Sequence, residues 1–329
     1  MSEPAPVRTA ITDLYGIRLP IIAGGLQWLA NADYVAAAGR AGIIGFITAA
    51  SFADTTALRD EIRRCRDLCA GAPFGVNVSM LPKLVQGERT VEVFEAVIEE
   101  GVRFVETSGR SPEAYLPMLK AAGIRVMHKV PAMRYARKAA SLGVDAVCLV
   151  GAECGGHPGL EMIGSFVQGR MAADLGIPYV VGGGVGTGAQ VAAALALGAD
   201  GVLVGTRFLA ADEIWAHHAY KQRLIKAEAH ETDLVLSSLR NTMRILKNET
   251  SEAVKLIEAR GEGTLETLLP HVSGKVGRLA YETGDWSRGA LSVGQSVAFL
   301  VRREPLAAIV ARMEDELRAT LSRMSGLTG

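Results

Sequence analysis

Aromatic residues make up only 5% of this 329-residue chain, and cysteines number four: Cys65, Cys69, Cys148 and Cys154. No CxxC pair and no Cys/His ligand spacing occurs, which argues against zinc and leaves reduced cytosolic thiols as the expectation. Prolines number 12 and the glycines follow no Gly-X-Y period, so a collagen-like chain is excluded. Net charge is absent, because Lys+Arg and Asp+Glu both total 35; a nucleic-acid binder shows a basic excess. Apolar runs are broken by glycine or charge well before the roughly 20 residues of a membrane span. The opening stretch MSEPAPVRTAITD lacks the apolar core of a signal peptide. The expectation is a cytoplasmic protein that acts on a small molecule and meets neither nucleic acid nor membrane. Its assembly stays open, a homodimer included.

Glycine is what the chain has in plenty: 37 residues, against an average usage of roughly 7%. Many fall in a recurring pattern of helical stretch, glycine, apolar run: Ala41-Gly42-Ile43, Glu100-Gly101-Val102, Ala122-Gly123-Ile124, Leu142-Gly143-Val144, Leu175-Gly176-Ile177 and Leu197-Gly198-Ala199. A glycine that ends a helix in the left-handed region and leads into a strand explains it. Eight short apolar runs follow from this reading, at 20–25, 42–48, 73–80, 103–109, 125–130, 146–151, 178–184 and 201–206. Such continuous runs suit parallel strands buried on both faces. Helical segments are expected at 31–40, 54–70, 90–100, 112–122, 132–142 and 187–197.

Eight strand–helix repeats in about 200 residues point to an α/β fold, a (β/α)8 TIM barrel, with an open doubly wound sheet as competitor. After Arg207 the texture changes. Residues 209–260 read as helical and charged, 261–297 as less regular, and 304–325 as an amphipathic helix after Pro305. The expected organisation is a barrel over 10–208, a C-terminal helical cap over 209–303, and a last segment, 304–329, that returns to the barrel.

In such barrels function gathers at the C-terminal strand ends. Polar or glycine-rich residues stand at every one: Gly24, Gly25, Leu26 and Gln27; Thr48; Asn77 and Ser79; Thr107 and Ser108; His128 and Lys129; Glu153 to His157; Gly182, Gly183 and Gly184; Gly205 and Thr206. The seventh loop, Gly182 to Gly188, runs into a helix, and Gly205-Thr206 closes strand eight. Glycine amides plus a helix N-terminus form an anion site, and these two loops are the usual phosphate position of the fold. One of His128 and Lys129 should face the interior, the other the helices. His157, in a Gly-Gly-His-Pro-Gly loop, suits general acid/base work. There is no Gly-x-Ser-x-Gly elbow and no HExxH motif, and no metal site is expected.

The same positions resemble the nitronate monooxygenase family, also called 2-nitropropane dioxygenases. The matching pieces are PIIAGGLQW (20–28), FGVN (74–77), HK (128–129), ECGGHPG (153–159), GGG (182–184), GTRF (205–208), SLRNT (238–242) and SVGQ (292–295). The resemblance implies an FMN-dependent TIM-barrel oxidoreductase. It implies that Gly183, Gly184, Gly205 and Thr206 hold the FMN phosphate, and that Gly25, Leu26, Asn77, Lys129 and Gln295 contact the isoalloxazine. Gly24 and Gly156 join the cofactor set as strand-end glycines. His157 would stand over the flavin as catalytic base or proton donor.

Pro158 after the histidine aligns the chain with the branch that behaves as NADH:quinone reductases. That makes hydride transfer from NADH or NADPH to FMN and then to a quinone the leading reading. True nitronate oxidation with O2, reduction of an enoyl thioester, and a phosphate-ligand-binding barrel without catalysis are the alternatives.

Overall fold

A computed structural model describes residues 6–80 and 89–327 of the chain. The last two positions of the expected final segment, 328–329, lie outside the described residues, as do the first five of the opening stretch. Eight parallel strands close a barrel in sequence order. They are Ile21–Ala23 (β1), Ile44–Thr48 (β2), Phe74–Met80 (β3), Phe104–Gly109 (β4), Arg125–Val130 (β5), Ala146–Val150 (β6), Tyr179–Gly182 (β7) and Gly201–Val204 (β8). Each falls within one of the eight apolar runs. Ala10–Tyr15 (α1) precedes the barrel. Ala32–Arg40 (α2), Thr55–Cys69 (α3), Thr90–Glu99 (α4), Leu116–Ala121 (α5), Met133–Ser141 (α6), Ser165–Met171 (α7) and Gly188–Ala196 (α8) run between the strands. Gly42 and Gly198, at φ +84° and +105°, follow α2 and α8 in the left-handed conformation that the repeat requires.

Alternation along the strands divides their side chains into two sets. Ile22, Ile44, Phe46, Phe104, Met127, Ala146, Cys148, Val180 and Leu203 pack together inside the barrel, with Ile11, Tyr15 and Ile17 from the N-terminal segment. The Tyr15 ring meets Phe46 and Phe104 edge-on, at centroid distances of 6.1 and 5.1 Å. The alternate residues join the larger core shared with the helices. The barrel interior is thus a packed core, and chemistry is left to its rim.

Beyond β8 come His218–Ile225 (α9), Thr232–Val235 (β9), Met243–Leu246 (β10), Glu249–Ala259 (α10), Leu265–Val272 (α11), Gly274–Thr283 (α12) and Leu306–Ser325 (α13). This corrects the reading of 209–260 as helical throughout, because β9 and β10 pair as an antiparallel two-stranded sheet. The reason is tertiary. Val235, Leu236 and Ile245 bury against Val254 and Leu268, and Leu246 N donates to Leu291 O at 2.8 Å. Local propensity yields to such partners. The stretch 261–297, expected to be less regular, carries α11 and α12. The sequence pattern also marks no helix after β6. There α7 is nucleated by Glu153, whose two carboxylate oxygens accept from Ser165 N at 3.1 and 2.9 Å.

Leu306, Ile309, Val310, Met313 and Leu317 form the buried stripe of α13, which packs on α8 and α2. Among the described residues no helix is long and apolar enough to cross a membrane.

Candidate active site

Adjacent strands bring one row of polar side chains to the barrel mouth. Thr48 of β2 is the register partner of Asn77 on β3, and Asn77 of Glu106 on β4. Lys129 on β5 pairs in register with Ser108 and with Cys148. Alternation puts Lys129 on the interior face with Met127, two residues before it. Its Nζ donates to Glu106 Oε1 at 2.6 Å, and Asn77 Nδ2 donates to the same oxygen at 2.5 Å. Glu106 is fully buried. Burial disfavours the Lys129 ammonium, yet the adjacent Glu106 carboxylate outweighs it and holds the pKa above the ordinary lysine value. His128 takes the opposite face. Its Nδ1 lies 2.9 Å from Thr107 Oγ1 among the helices, and burial lowers its pKa to about 4.

The end of β1 packs tightly on this row. A Cβ on Gly25 would fall 2.7 Å from Asn77 Cβ and 3.0 Å from Thr48 Oγ1, and one on Gly24 would fall 2.9 Å from Leu203 Cδ2. Leu26 reaches across to Gly205, whose Cβ position lies 3.5 Å from Leu26 Cδ2. Gly183 and Gly184 follow β7, and Gly205 and Thr206 follow β8, so the two pairs stand after neighbouring strands. Thr206 Oγ1 accepts from Gly294 N at 2.9 Å, and its hydroxyl hydrogen is left for a further acceptor.

The helix-dipole part of the expectation needs correction. Gly186 N and Thr187 N both donate to Gln190 Oε1, at 2.8 and 3.1 Å. Gly188 N donates to the Glu316 carboxylate of α13 at 2.7 Å. In the first turn of α8, Gly188 N and Gln190 N are thus taken by protein oxygens, one of them anionic. Arg207 Nε binds Gly186 O at 3.1 Å and fixes the loop from below.

The strand-six loop is held by the cap. Gly156 and Arg244 form an antiparallel bridge, and the Arg244 guanidinium donates to Ala152 O at 3.1 and 3.0 Å. Gly155 packs on Gly294, and Gln295 N donates to Glu153 O at 2.9 Å, which brings half-buried Gln295 to the same loop. His157 has an exposed ring whose Nε2 lies 3.3 Å from Asn241 Nδ2, in the turn between β9 and β10. The protein crowding its rim desolvates the imidazolium and lowers the pKa below the ordinary value. That turn is clamped by Glu258 of α10, which accepts from Leu236 N and Ser238 N at 3.1 and 2.7 Å. Burial pushes the neighbouring Cys154 thiol up to about 12, so it stays protonated and is a poor nucleophile.

Two residues escaped the sequence reading. Glu106 lies inside the apolar run FVETSG; an acid two positions before Ser108, on the strand beside Lys129, was the available signal. Asn241 belongs to SLRNT, but its approach to His157 depends on the hairpin. A surface cavity of about 460 Å³, lined by Met133, Arg137, Met171 and Asp174, lies on the barrel's flank. None of the residues of the polar row or of the glycine loops lines it. Among the described residues no group of three or more His, Cys, Asp or Glu could hold a metal ion.

A family model described as nitronate monooxygenase matches residues 8–316. The chain belongs to the nitronate monooxygenase family. Among its relatives is a (3aS,4S,5R,7aS)-5-hydroxy-7a-methyl-1-oxo-octahydro-1H-indene-4-carboxyl-CoA dehydrogenase of Mycobacterium tuberculosis. It is 32% identical over 253 residues, 76% of this chain and 69% of that protein. A nitronate monooxygenase of Paraburkholderia phytofirmans is 26% identical over 361 residues, 96% of this chain and 97% of that one. The structure of FabK from Thermotoga maritima superimposes with a TM-score of 0.88 at 31% identity, covering 98% of this chain and 99% of that one. This nitronate monooxygenase family member is an oxidoreductase of FMN type on a TIM barrel.

Proposed function

We propose that FMN binds across the barrel mouth with its phosphate on Gly183, Gly184, Gly205 and Thr206 and its ring against Gly25, Leu26, Asn77, Lys129 and Gln295. The observation that carries this reading is the row Thr48, Asn77, Glu106 and Lys129. Thr48 Oγ1 and Glu106 Oε2 are buried there without a hydrogen bond in the protein, and buried polar atoms ordinarily have partners. A polar, flat ligand over the row would supply a partner for Thr48 Oγ1, with Glu106 lying deeper beneath it. The donor set fits a flavin, with two side-chain donors for ring oxygens and nitrogens and glycine amides for a phosphate.

When bound, FMN would supply two-electron redox chemistry, with NADH or NADPH as the proposed hydride source. Lys129 places a positive charge where negative charge develops. The lowered pKa of His157 favours the neutral imidazole. Donation by Asn241 to Nε2 leaves the ring proton on Nδ1. From that position His157 moves the proton that accompanies electron transfer to or from the substrate.

For the electron acceptor two readings have support. The Gly-Gly-His-Pro-Gly loop supports a quinone, as in an NAD(P)H:quinone reductase. The carboxyl-CoA dehydrogenase relative at 32% identity supports a CoA thioester. Anaerobic stopped-flow mixing with NADH, NADPH and an alkyl nitronate separates the electron donors, and the reduced protein is then mixed with a quinone or an unsaturated acyl-CoA. Rapid bleaching by a nicotinamide is expected. Bleaching by the nitronate alone would move the assignment to nitronate oxidation. Failure to take up FMN at all would leave a ligand-binding barrel.

A further inference from the structure

We infer that Glu106 is a positioning residue that sets how much positive charge Lys129 presents to the ring of the bound cofactor. This rests on the FMN reading above and concerns the electrostatics of that same site. Glu106 and Lys129 form a pair with a direction. The carboxylate side chain is fully buried while the lysine side chain is 21% exposed, so the positive end of the pair faces the mouth and the negative end lies deeper. Asn77 holds the deeper end by donating to the same oxygen that accepts from Lys129.

Other buried or half-buried acids of the chain are different. Glu153 bonds Ser165 through both oxygens, and Glu314 is met by Arg18 and Arg318; these acids fasten one element to another. Among the described residues Glu106 bonds Lys129 and Asn77, both at the mouth, and its second oxygen is buried without a partner. With Glu106 charged, the pair sums to zero. Without it, Lys129 loses the carboxylate that offsets its burial, and at a pH low enough to keep its ammonium protonated a net charge of +1 stands beside the ring and favours its anionic reduced form.

The test uses the full chain loaded with FMN, read by sulfite binding and by the two-electron midpoint potential, both of which report positive charge near the ring. Glu106→Gln is expected to bind sulfite about tenfold or more tightly and to raise the potential, since a unit charge a few ångströms away acts through an effective dielectric of about 20. Lys129→Met should weaken sulfite binding. The double variant should return toward the unsubstituted protein, because its charge again sums to zero. A purely structural Glu106 would give a double variant more damaged than either single one, and that result overturns the inference, as does unchanged sulfite affinity in Glu106→Gln. If Glu106→Gln does not hold FMN, Glu106→Asp keeps the charge and should bind sulfite within about twofold of the unsubstituted protein. Loss of FMN in a natively folded Glu106→Asp would make Glu106 a binding contact and overturn the proposal. Failure of the unsubstituted chain to take up FMN would instead remove the cofactor reading on which it rests.

Discussion

Gly155 and Gly294 touch backbone to backbone. A Cβ on Gly155 would fall 2.7 Å from Gly294 N, and one on Gly294 would fall 2.6 Å from Gly155 N. This contact lets the loop after β6 and the segment carrying Gln295 share one edge of the mouth. Gly155→Ala or Gly294→Ala should destabilise the chain by about 1–3 kcal/mol through overpacking and weaken FMN binding. Urea midpoints and flavin titration measure the two effects. A variant matching the unsubstituted chain in both would remove this contact from the site's construction.

His157 and Asn241 should separate binding from chemistry. His157→Ala is expected to retain FMN and to slow the proton-dependent half-reaction by about 10²–10⁴-fold. Asn241→Ala should slow the same half-reaction by less and change its pH profile, because the imidazole keeps its place in the loop but loses its anchor. Single-turnover rates across pH report both. Full activity in His157→Ala would take the residue out of the mechanism.

Glu316 caps a helix it does not belong to. Its carboxylate sits on Gly188 N, at the positive end of α8. Glu316→Ala should lower stability by about 0.5–2 kcal/mol, the range for losing an N-terminal helix acceptor, and loosen the glycine loop before it. Thermal melts with and without FMN would show it, and an FMN-dependent gain in melting temperature equal to that of the unsubstituted chain would contradict the second half.

His128 makes the fold acid-sensitive. Burial holds its folded pKa at about 4 against an ordinary 6.5, so the unfolded chain binds the extra proton between those values. Its contribution is therefore present above pH 6.5 and is lost as pH falls toward 4, a change of roughly 3 kcal/mol. The depressed pKa of His157 acts in the same direction, with less weight because its ring is exposed. Denaturation at pH 7.5 and pH 5 should show a smaller difference in His128→Gln than in the unsubstituted chain. An equal difference would clear His128 of the effect.

The barrel was legible in the sequence because its punctuation is local. Gly42, Gly143 and their counterparts stand where helices stop, and each strand is one apolar run. The candidate mouth was legible for a related reason: strand ends switch from apolar to polar or glycine within a residue or two, as at Val204-Gly205. What stayed hidden depends on partners far along the chain. The strands TDLV and MRIL are four residues each and sit among charged, helix-compatible neighbours, so only pairing with each other and with 291–292 makes them strands. Glu106 stands within an apolar run, and its partners Lys129 and Asn77 come from the two neighbouring strands. The glycines at 186 and 188 suggested an open anion site, and a carboxylate from α13 fills that place.

The hydrogen bond from Gly188 to Glu316 spans 128 positions, and it bears on the order in which the molecule is made. Strands and helices of the barrel can pair as they leave the ribosome, since each contacts its predecessor and chains fold from the N-terminal side during synthesis. The loop beside the proposed phosphate position is finished only when α13 arrives. A nascent chain stalled after β8 would hold all eight strands and still present an unbraced loop, so cofactor loading is expected to follow synthesis of this last helix.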